Sequence, residues 1–388
     1  MGITEWVAVL VIFAVVYCLI KRYETRLVLI GSGLLLCLIS WNLVGGLNAF
    51  AKSMTNASLV MAICGSMGFA FVAKYTEADR SLVHYLSAPI RGLGIFLVPV
   101  CTAITFFVNI AIPSAAGCAA AVGSTLIPVM LRAGIKPAGA AAAVLAGTIG
   151  SYLSPGTSHN PYVANMAHID VMEFIGFHAP YSIMIGAFGV IGTLIMCILL
   201  GDGKGDKNAK IDESKAQKTD DFTPNPIKAL VPLVPITILV VGNLWCPFIK
   251  MGVAQAMVLG AVIALAVARP NPETFTKEFF NGCGKGYADV MGIIIAAGVF
   301  AAGLREAGLI DVFVQSLKES NEIARWGGSI GPFIMGVITG SGDAATLAFN
   351  ETVTPHAEDF GMSIQGLGGL AFLAGAAGRT ASPLAGVT

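Results

Sequence analysis

Long apolar stretches alternate with short polar ones along most of this chain. They lie near residues 3–20, 27–47, 57–73, 137–153, 173–199, 229–248, 251–268, 289–304 and 364–378. Each is long enough to cross about 30 Å of hydrocarbon as a helix, and none shows the two-residue alternation of a half-buried strand. The pattern predicts an all-α integral membrane protein, because a segment in lipid must satisfy its own backbone hydrogen bonds.

Composition agrees with that prediction. Apolar residues make up 55% of the 388 residues and charged residues only 12%, with a mean hydropathy of +0.78. Such values exclude an ordinary soluble domain. The formal net charge is zero, so nothing indicates a nucleic-acid partner, and the expected partners are the lipid bilayer and a small solute. Seven cysteines lie in or beside apolar stretches and Cys283 is expected in a linker, without any Cys-x-x-Cys pair.

The chain contains the same pattern twice. Residues 113–128 match residues 340–355, and residues 150–155 match residues 378–383, both at an offset of about 227 positions. Each copy therefore interrupts its apolar segments at two corresponding points. A duplicated unit with such interruptions is the sequence sign of a secondary transporter, whose substrate site lies between the repeats where broken helices expose backbone groups.

The positions of lysine and arginine indicate the topology. We predict that each repeat crosses the membrane about five times and adds one re-entrant helical hairpin, so that an odd number of crossings inverts the second copy. With the N-terminus outside, most of the 23 basic residues fall in inner loops, and Arg379 lies in the second interruption. The outer loops hold only Lys52, Lys250, Arg305, Lys318 and Arg325. This asymmetry follows the positive-inside rule, whereas counting the hairpins as full crossings would scatter the charges.

Each repeat is expected to consist of a scaffold part followed by a transport part. The predicted divisions are scaffold 1–91 and transport 92–200, a flexible cytoplasmic linker at 201–227, then scaffold 228–326 and transport 327–388. The transport parts contain hairpins at 92–131 and 327–355, broken helices at 137–160 and 364–383, and a span at 173–199 in the first copy only. The repeat thus predicts a further helix beyond residue 388.

The hairpin tips are the first candidate binding points. Small residues at each tip begin a short helix, whose unpaired N–H groups and positive dipole end would favour an anion. The candidates are Ser114, Ala115, Gly117, Ser341, Gly342 and Asp343. Ser341 and Asp343 could equally be plain N-caps of the helix that follows, a role that these residue types favour anywhere. The two interpretations are compatible.

Arg379 is the most informative single residue. A guanidinium in an apolar layer is costly unless it is paired or solvated, and its planar fork suits a carboxylate. Thr380 and Ser382 place hydroxyls beside it. The alternative is an arginine at a helix end that reaches the lipid headgroups. The matching interruption at Gly150 favours a position within the membrane.

The first copy offers hydroxyl and amide groups at the equivalent interruption. Ser151, Ser154 and Thr157 could bind the other end of a substrate. No organic cofactor is expected, but a sodium ion could be held near Ser114, Asn160, Asp343 and Ser382, where helix-end carbonyls meet hydroxyls and a carboxylate. His159 and Glu351 are candidates for carrying a coupling proton. For both residues a merely structural role, or contact with outer water, stays open.

At these residues the chain resembles a known family. The segments 339–344, 378–383 and 297–301 are similar to those of anaerobic C4-dicarboxylate carriers of the DcuC type, in the ion transporter superfamily. The resemblance implies an inner-membrane homodimer whose transport domains slide as elevators past central scaffolds. It implies transport of succinate- or fumarate-like anions, coupled to sodium, to protons or to dicarboxylate exchange. Asp343 stands where asparagine is expected, and its charge favours a bound cation.

Two other functions fit parts of the sequence. A cation/proton antiporter could use the tips with Asp343 and Glu351 for ions alone, and a related carrier could prefer a tricarboxylate, a short-chain acid or an acidic amino acid. An intramembrane aspartyl protease would use Gly340-Ser341-Gly342-Asp343 as its Gly-x-Gly-Asp motif. Such an enzyme needs a second aspartate in a facing span and gives no reason for a duplication. We therefore predict a transporter and not an enzyme.

Overall fold

A computed structural model describes residues 2–87, 93–202, 222–310, 312, 321–339 and 342–382. These residues form helices, turns and connecting segments, and the described part contains no strand. The α-helices are α1 (Ile3–Ile20), α2 (Thr25–Ile39), α3 (Leu43–Met54), α4 (Ala57–Tyr75), α5 (Ala78–Ser87), α6 (Leu97–Ala111), α7 (Ala115–Arg132), α8 (Pro137–Gly147), α9 (His159–Met166), α10 (Val171–Leu199), α11 (Pro226–Leu230), α12 (Val234–Leu244), α13 (Val253–Ala268), α14 (Pro272–Lys285), α15 (Gly292–Glu306), α16 (Asn321–Thr339), α17 (Gly342–Thr352) and α18 (Ile364–Ala381). The all-α prediction is confirmed.

Several helical segments have the length and composition to cross a membrane. Within the described residues they are Ala57–Tyr75, Gly94–Ala111, Ala115–Arg132, Val171–Leu199, Pro226–Leu244 and Pro272–Glu306. Shorter apolar helices of 10–17 residues add Thr4–Ile20, Thr25–Ile39, Pro137–Leu153, Val253–Ala268 and Trp326–Ile338. These segments coincide with most of the apolar stretches of the sequence, and they support a multi-pass membrane protein.

One apolar stretch forms two helices instead of one. The chain turns at Ser40–Asn42 within the stretch 27–47, and Trp41 adopts the left-handed conformation with φ of 59°. Asn42 then begins α3, because its Oδ1 accepts the N–H of Gly45 at 3.0 Å. A side-chain cap of this kind satisfies an otherwise unpaired N–H in the first turn of the new helix.

A second difference concerns the segment before residue 289. Cys283, expected in a linker, lies in α14, and a π-helical turn at Gly286–Met291 joins α14 to α15 without a break. Across this turn, Lys285 Nζ lies 3.7 Å from Oδ2 of Asp289, four residues later in the chain. The polar residues of 272–285 therefore belong to a helix, and their polarity does not indicate a loop.

Each predicted hairpin contains two described helices, and in the first a short break between them is described. In the first, residues 112–114 separate α6 from α7, and each arm reaches 18 residues when the 3₁₀ turn Gly94–Phe96 is included. In the second, α16 precedes the 11-residue α17. Helix α5 precedes the first hairpin and has polar and apolar faces. Length alone permits re-entrant or crossing arms, so re-entry stays a prediction.

The chain forms two compact units. Unit one comprises Met1–Met61, Pro161–Asp170 and Lys285–Gly386, and unit two comprises Ala62–Asn160 and Val171–Gly284. In unit one, α2 and α15 pack around Leu29, Leu36 and Phe300, and backbones approach closely where Gly33 meets Val299. Unit two contains two apolar clusters, which include Val98, Val122 and Leu126 in one and Phe69, Met257 and Phe275 in the other. These units divide the chain differently from the predicted scaffold and transport domains, which stay a prediction.

Candidate functional site

The two interruptions predicted from the repeat lie in different units and can be compared residue by residue. We call residues 106–117 and 147–160, in unit two, the first region. We call residues 333–339, 342–343 and 375–382, in unit one, the second region. Ser341 lies outside the described residues, so its predicted role is not addressed by the structure.

A glycine contacts a carbonyl oxygen at the same place in each region. A Cβ atom at Gly150 would lie 2.0 Å from the backbone oxygen of Phe106, and a Cβ at Gly378 would lie 2.1 Å from that of Phe333. These distances are too short for any side chain, so the two backbones touch only because both positions are glycine. The contact pairs are separated by the repeat offset, and the two regions therefore pack their helices in the same way.

The chain also leaves its helix in the same way in both regions. In the first, α8 changes to a 3₁₀ turn at Thr148–Leu153, and Ser154 is extended with φ −87° and ψ 128°. In the second, α18 continues to Ala381, and Ser382 is extended with φ −77° and ψ 128°. The N–H groups of Ser154 and Ser382 each bond the carbonyl three residues earlier. The second segment is therefore unbroken through Ala381, and Arg379 lies in its last turn.

The hairpin helix carries a different residue in each region. Asn109, fully buried on α6, accepts the N–H of Ser151 through Oδ1 at 2.7 Å and donates Nδ2 to the carbonyl of Ile112 at 2.9 Å. The repeat places Gly336 at this position, where a Cβ would lie 2.9 Å from the amide nitrogen of Arg379. In the first region the Asn109 side chain thus links Ser151 of the interruption to Ile112 near the hairpin tip. In the second region, backbone packing at Gly336 takes the place of this link.

The start of α7 is an ordinary capped helix start. Ser114 is its N-cap, and its Oγ accepts the N–H of Gly117 at 3.1 Å. Ala115 and Gly117 lie in the first turn, as expected from the sequence. The cap accounts for one N–H group of that turn, and others stay available to a partner because helix starts leave several without an intrahelical acceptor.

Predicted binding residues of the first region mainly bond their own backbone. Thr157 Oγ1 donates to the carbonyl of Ser151, and Asn160 Nδ2 donates to the carbonyls of Tyr152 and Ser154, both at 2.8 Å. Ser154 Oγ accepts the N–H of Gly156 at 3.3 Å. These bonds fold residues 151–160 into a polar turn in which Ser151, Ser154 and Asn160 are buried. These hydrogen bonds therefore preorganise the turn, and its hydroxyls offer a ligand hydrogen bonds but no charge.

His178 is a hydrogen-bond partner of this turn that sequence reasoning missed. It lies inside α10, 1% exposed, with Nε2 3.1 Å from Asn160 Oδ1 and Nδ1 2.9 Å from Ser182 Oγ. Because Asn160 uses its amide hydrogens on two carbonyls, its Oδ1 must accept, so His178 carries its proton on Nε2 and accepts from Ser182. The signal was available, since an ionisable residue within an apolar span is a functional candidate by default.

The second region presents its predicted polar residues on α17 and α18. Gly342 packs against the carbonyl of Gly375, where a Cβ would lie 2.4 Å away, while Asp343 is exposed. Thr380 Oγ1 donates to the carbonyl of Ala376 at 3.0 Å, and Ser382 Oγ donates to that of Val337 at 2.7 Å. Arg379 is half-buried. The hydroxyls of Thr380 and Ser382 therefore donate to backbone carbonyls. The Arg379 guanidinium is the strongest anion-binding group among these residues.

The two candidate proton carriers have different surroundings. His159 is 3% exposed at the start of α9 in unit two. Glu351 is half-buried near the end of α17 in unit one, and its Oε2 accepts a short hydrogen bond from the Tyr162 hydroxyl. The structure thus places Glu351 in a protein contact and not in a surface ion pair.

The predicted sodium ligands are two hydroxyls, one amide and one carboxylate. Ser114 and Asn160 belong to unit two, whereas Asp343 and Ser382 belong to unit one. In the described part of the chain, no group of three or more His, Cys, Asp or Glu side chains is arranged to hold a metal. Oxygen-only ligands suit a hard cation, and sodium binding stays a prediction.

Comparison with solved structures concerns the fold. The crystal structure of the Alcanivorax borkumensis YdaH transporter, described as having an unusual topology, matches with a TM-score of 0.55 at 13% identity. The match covers 87% of this chain and 77% of that transporter. At this identity the likeness extends to the fold alone.

Sequence comparison gives the family. The DcuC family, described as C4-dicarboxylate anaerobic carrier, matches residues 4–388. An uncharacterized transporter of Haemophilus influenzae is 46% identical over 244 residues, which is 61% of this chain and 88% of that protein. The anaerobic C4-dicarboxylate transporter DcuC of Escherichia coli K12 is 27% identical over 98% of this chain and 88% of its own length. This chain is therefore a membrane transporter, not an enzyme, and it belongs to the DcuC family of anaerobic C4-dicarboxylate carriers.

Proposed function

We propose that this protein carries succinate- or fumarate-like C4-dicarboxylates across the bacterial inner membrane by secondary active transport. The observation that carries the proposal is the family match over residues 4–388. A relative that matches 98% of the chain is named as a C4-dicarboxylate transporter. The paired glycine contacts of the first and second regions support a duplicated transporter fold, in which broken or terminating helices form the binding points.

Arg379 is the proposed ligand of one substrate carboxylate. It is a half-buried guanidinium in the last turn of α18, and its two parallel N–H groups match the two oxygens of a carboxylate. In the first region, the start of α7 offers N–H groups of the turn that begins at Ser114, beside hydroxyls of Ser151 and Ser154. These uncharged donors can bind an anion, and they do not determine how many negative charges it carries.

The proposed mechanism is an elevator in a homodimer, with two inverted repeats and coupling to sodium, to protons or to exchange. The N-terminus is proposed to be outside and the linker 201–227 cytoplasmic, because this orientation puts most basic residues inside. Labelling of single introduced cysteines at Gly2 and within 201–227 with an impermeant reagent, in intact cells and in inverted vesicles, tests that orientation. Labelling of both positions from one side would contradict it.

Purified protein in liposomes tests the substrate. We expect uptake of labelled succinate or fumarate that excess unlabelled C4-dicarboxylate abolishes and that monocarboxylates and tricarboxylates leave within twofold. A thermal-shift screen of the same carboxylates with and without sodium gives an independent reading, because a ligand that binds the folded state raises the unfolding temperature. Sodium or proton flux without carboxylate uptake would instead favour a cation/proton antiporter. Stabilisation by tricarboxylates or acidic amino acids alone would reassign the substrate.

A further inference from the structure

Glu351 occupies a built environment in unit one. It lies one residue before the end of α17, and its carboxylate accepts a hydrogen bond from the hydroxyl of Tyr162 on α9. Tyr162 is 4% exposed, so the phenol is held inside the protein and its hydroxyl is directed at the carboxylate. Both residues belong to the same compact unit. The contact is therefore a fixed part of that unit.

A glycine of α15 makes space for this carboxylate. A Cβ atom at Gly298 would lie 3.7 Å from Glu351 Oε1 and 2.5 Å from Ser53 Oγ on α3. The flanking residues Ala297 and Val299 are fully buried. Any larger residue at 298 would push against Ser53 and crowd Glu351, so groups of α3, α9 and α15 lie close to the carboxyl group on α17.

The charged groups around Glu351 do not neutralise it directly. Lys52 of α3 and Arg305 of α15 interact with it only at longer range. The adjoining 3₁₀ segment Thr354–Phe360 carries Glu358 and a His356–Asp359 pair at 3.6 Å, and the same unit also contains Asp343 on α17 and Arg379 on α18. Among the described residues, no lysine or arginine reaches ion-pair distance of Glu351. A half-buried carboxylate held by a phenol and not by a cation can be neutralised by one proton without leaving an unpaired partner charge.

We propose that Glu351 is the proton-binding carboxyl group of the transport cycle and that Tyr162 stabilises its ionised form. This inference rests on the proposed function. One proton from water adds to a carboxylate oxygen of Glu351 and gives the neutral acid, which returns the same proton to water when it ionises again. No other bond forms or breaks. One proton is then moved per cycle of protonation and release, and its movement can be measured separately from substrate exchange.

Reconstituted full-length protein tests this assignment with two measurements on the same liposomes. The first is net uptake of labelled succinate driven by an imposed proton gradient, with alkalinisation of the outer medium followed by a pH dye. The second is exchange of external labelled succinate for internal succinate without a gradient. In Glu351→Gln, which keeps the shape but cannot titrate, we expect the ratio of proton-driven uptake to exchange to fall at least tenfold. Glu358→Gln, an exposed carboxyl on the adjoining segment, is the matched control and should keep the wild-type ratio.

Tyr162→Phe gives a second readout that leaves the carboxyl group in place. Loss of the phenol donor removes a group that stabilises the ionised form, so the pH profile of net uptake should move to higher pH by about one unit. If Glu351→Gln loses exchange as well, this profile decides the matter, and an unchanged profile overturns the proposal. A Glu351→Gln protein that still takes up succinate with protons also overturns it, as does wild-type succinate flux without proton movement. Wild-type protein that exchanges no dicarboxylate would instead contradict the proposed function.

Discussion

The first and second regions share their backbone packing and differ in their chemistry. Both press a glycine onto a phenylalanine carbonyl, and both end their helix at an extended serine. The first region is then held together by buried Asn109 and Asn160, and Asn160 also bonds His178 of α10. The second has Gly336 where the first has Asn109, and it carries Arg379. The two regions thus share the packing of the interruption, while the first forms a hydrogen-bonded polar turn and the second carries the guanidinium of Arg379.

Replacement of Arg379 tests the difference in charge and has the largest expected effect. In Arg379→Ala we expect succinate uptake in liposomes to fall at least about 100-fold, because a bidentate guanidinium–carboxylate pair contributes about 3 kcal/mol. Arg379→Lys should recover only part of this loss, since an ammonium group cannot form the fork. Arg132→Ala is the control, because Arg132 is exposed in the last turn of α7. Wild-type uptake by Arg379→Ala would remove the basis for assigning charge recognition to the second region.

Alanine at the paired glycines tests the shared packing. A Cβ at Gly150 or Gly378 would overlap a carbonyl oxygen at 2.0 or 2.1 Å, so each Gly→Ala substitution should destabilise the protein by about 3 kcal/mol. Thermal unfolding in detergent measures the loss. Gly192→Ala on α10 has no atom within 4 Å of the added group and should unfold at or slightly above the wild-type temperature, because alanine favours a helix over glycine. If Gly150→Ala unfolds like the wild type while Gly378→Ala does not, the two contacts are not equivalent.

Asn109→Ala tests the side-chain tie that only the first region has. Removal of the amide leaves the buried N–H of Ser151 and the carbonyl of Ile112 without their partner, at a cost of about 1–3 kcal/mol. We expect a lower unfolding temperature and a fivefold to tenfold weaker apparent affinity for succinate. Asn42→Ala serves as the control, because Asn42 caps α3 outside this region and its loss should lower stability without changing affinity. An unchanged affinity in Asn109→Ala would make the tie purely structural.

Asp79, a buried carboxyl on α5 of unit two, gives a pH-dependent test of stability outside both regions. Burial raises the pKa of this carboxyl on α5 to about 6, from 3.8. Because the folded protein holds the proton more tightly, Asp79 favours folding below about pH 4, and that stability is lost as the pH rises to about 6. The difference is at most about 3 kcal/mol.

Asp79→Asn should therefore be more stable than the wild type at pH 7 and similar to it near pH 4, as measured by thermal unfolding across this range. Asn can still accept the N–H of Arg80, which bonds Asp79 Oδ1 at 2.7 Å. Glu358→Gln, an exposed carboxyl, should follow the wild type at every pH. Parallel curves for Asp79→Asn and the wild type would show that Asp79 does not titrate in this range.

Much of the fold could be predicted because apolar stretches and helix caps act locally. Ser114 was readable as the start of α7, and the end of each interruption at Ser154 and Ser382 followed from the repeat. The turn at Trp41 was missed because Ser40 and Asn42 are two short polar residues within a long apolar stretch, and a single left-handed residue leaves no periodic signal. Asn42 was the available sign, as a favoured N-cap.

The site was less predictable because its polar residues bond across sequence distance. His178 and Asn160 are 18 positions apart, and the hydrogen bond between them depends on how α10 packs. Tyr162 and Glu351 are 189 positions apart. The sequence could nominate Asn160 and Glu351 by residue type, but only the folded chain shows which groups their hydrogen bonds occupy.

The 3₁₀ turn at Thr148–Leu153 has one more consequence. With three residues per turn, side chains at i and i+3 eclipse one another, so Thr148 and Ser151 are stacked in a single column that leads to Ser154. An α-helix of the same sequence would rotate each successive hydroxyl by about 60° and spread the three around the axis. A variant that adopted α-helical winding here would keep all three hydroxyl-bearing residues, but their side chains would no longer be aligned.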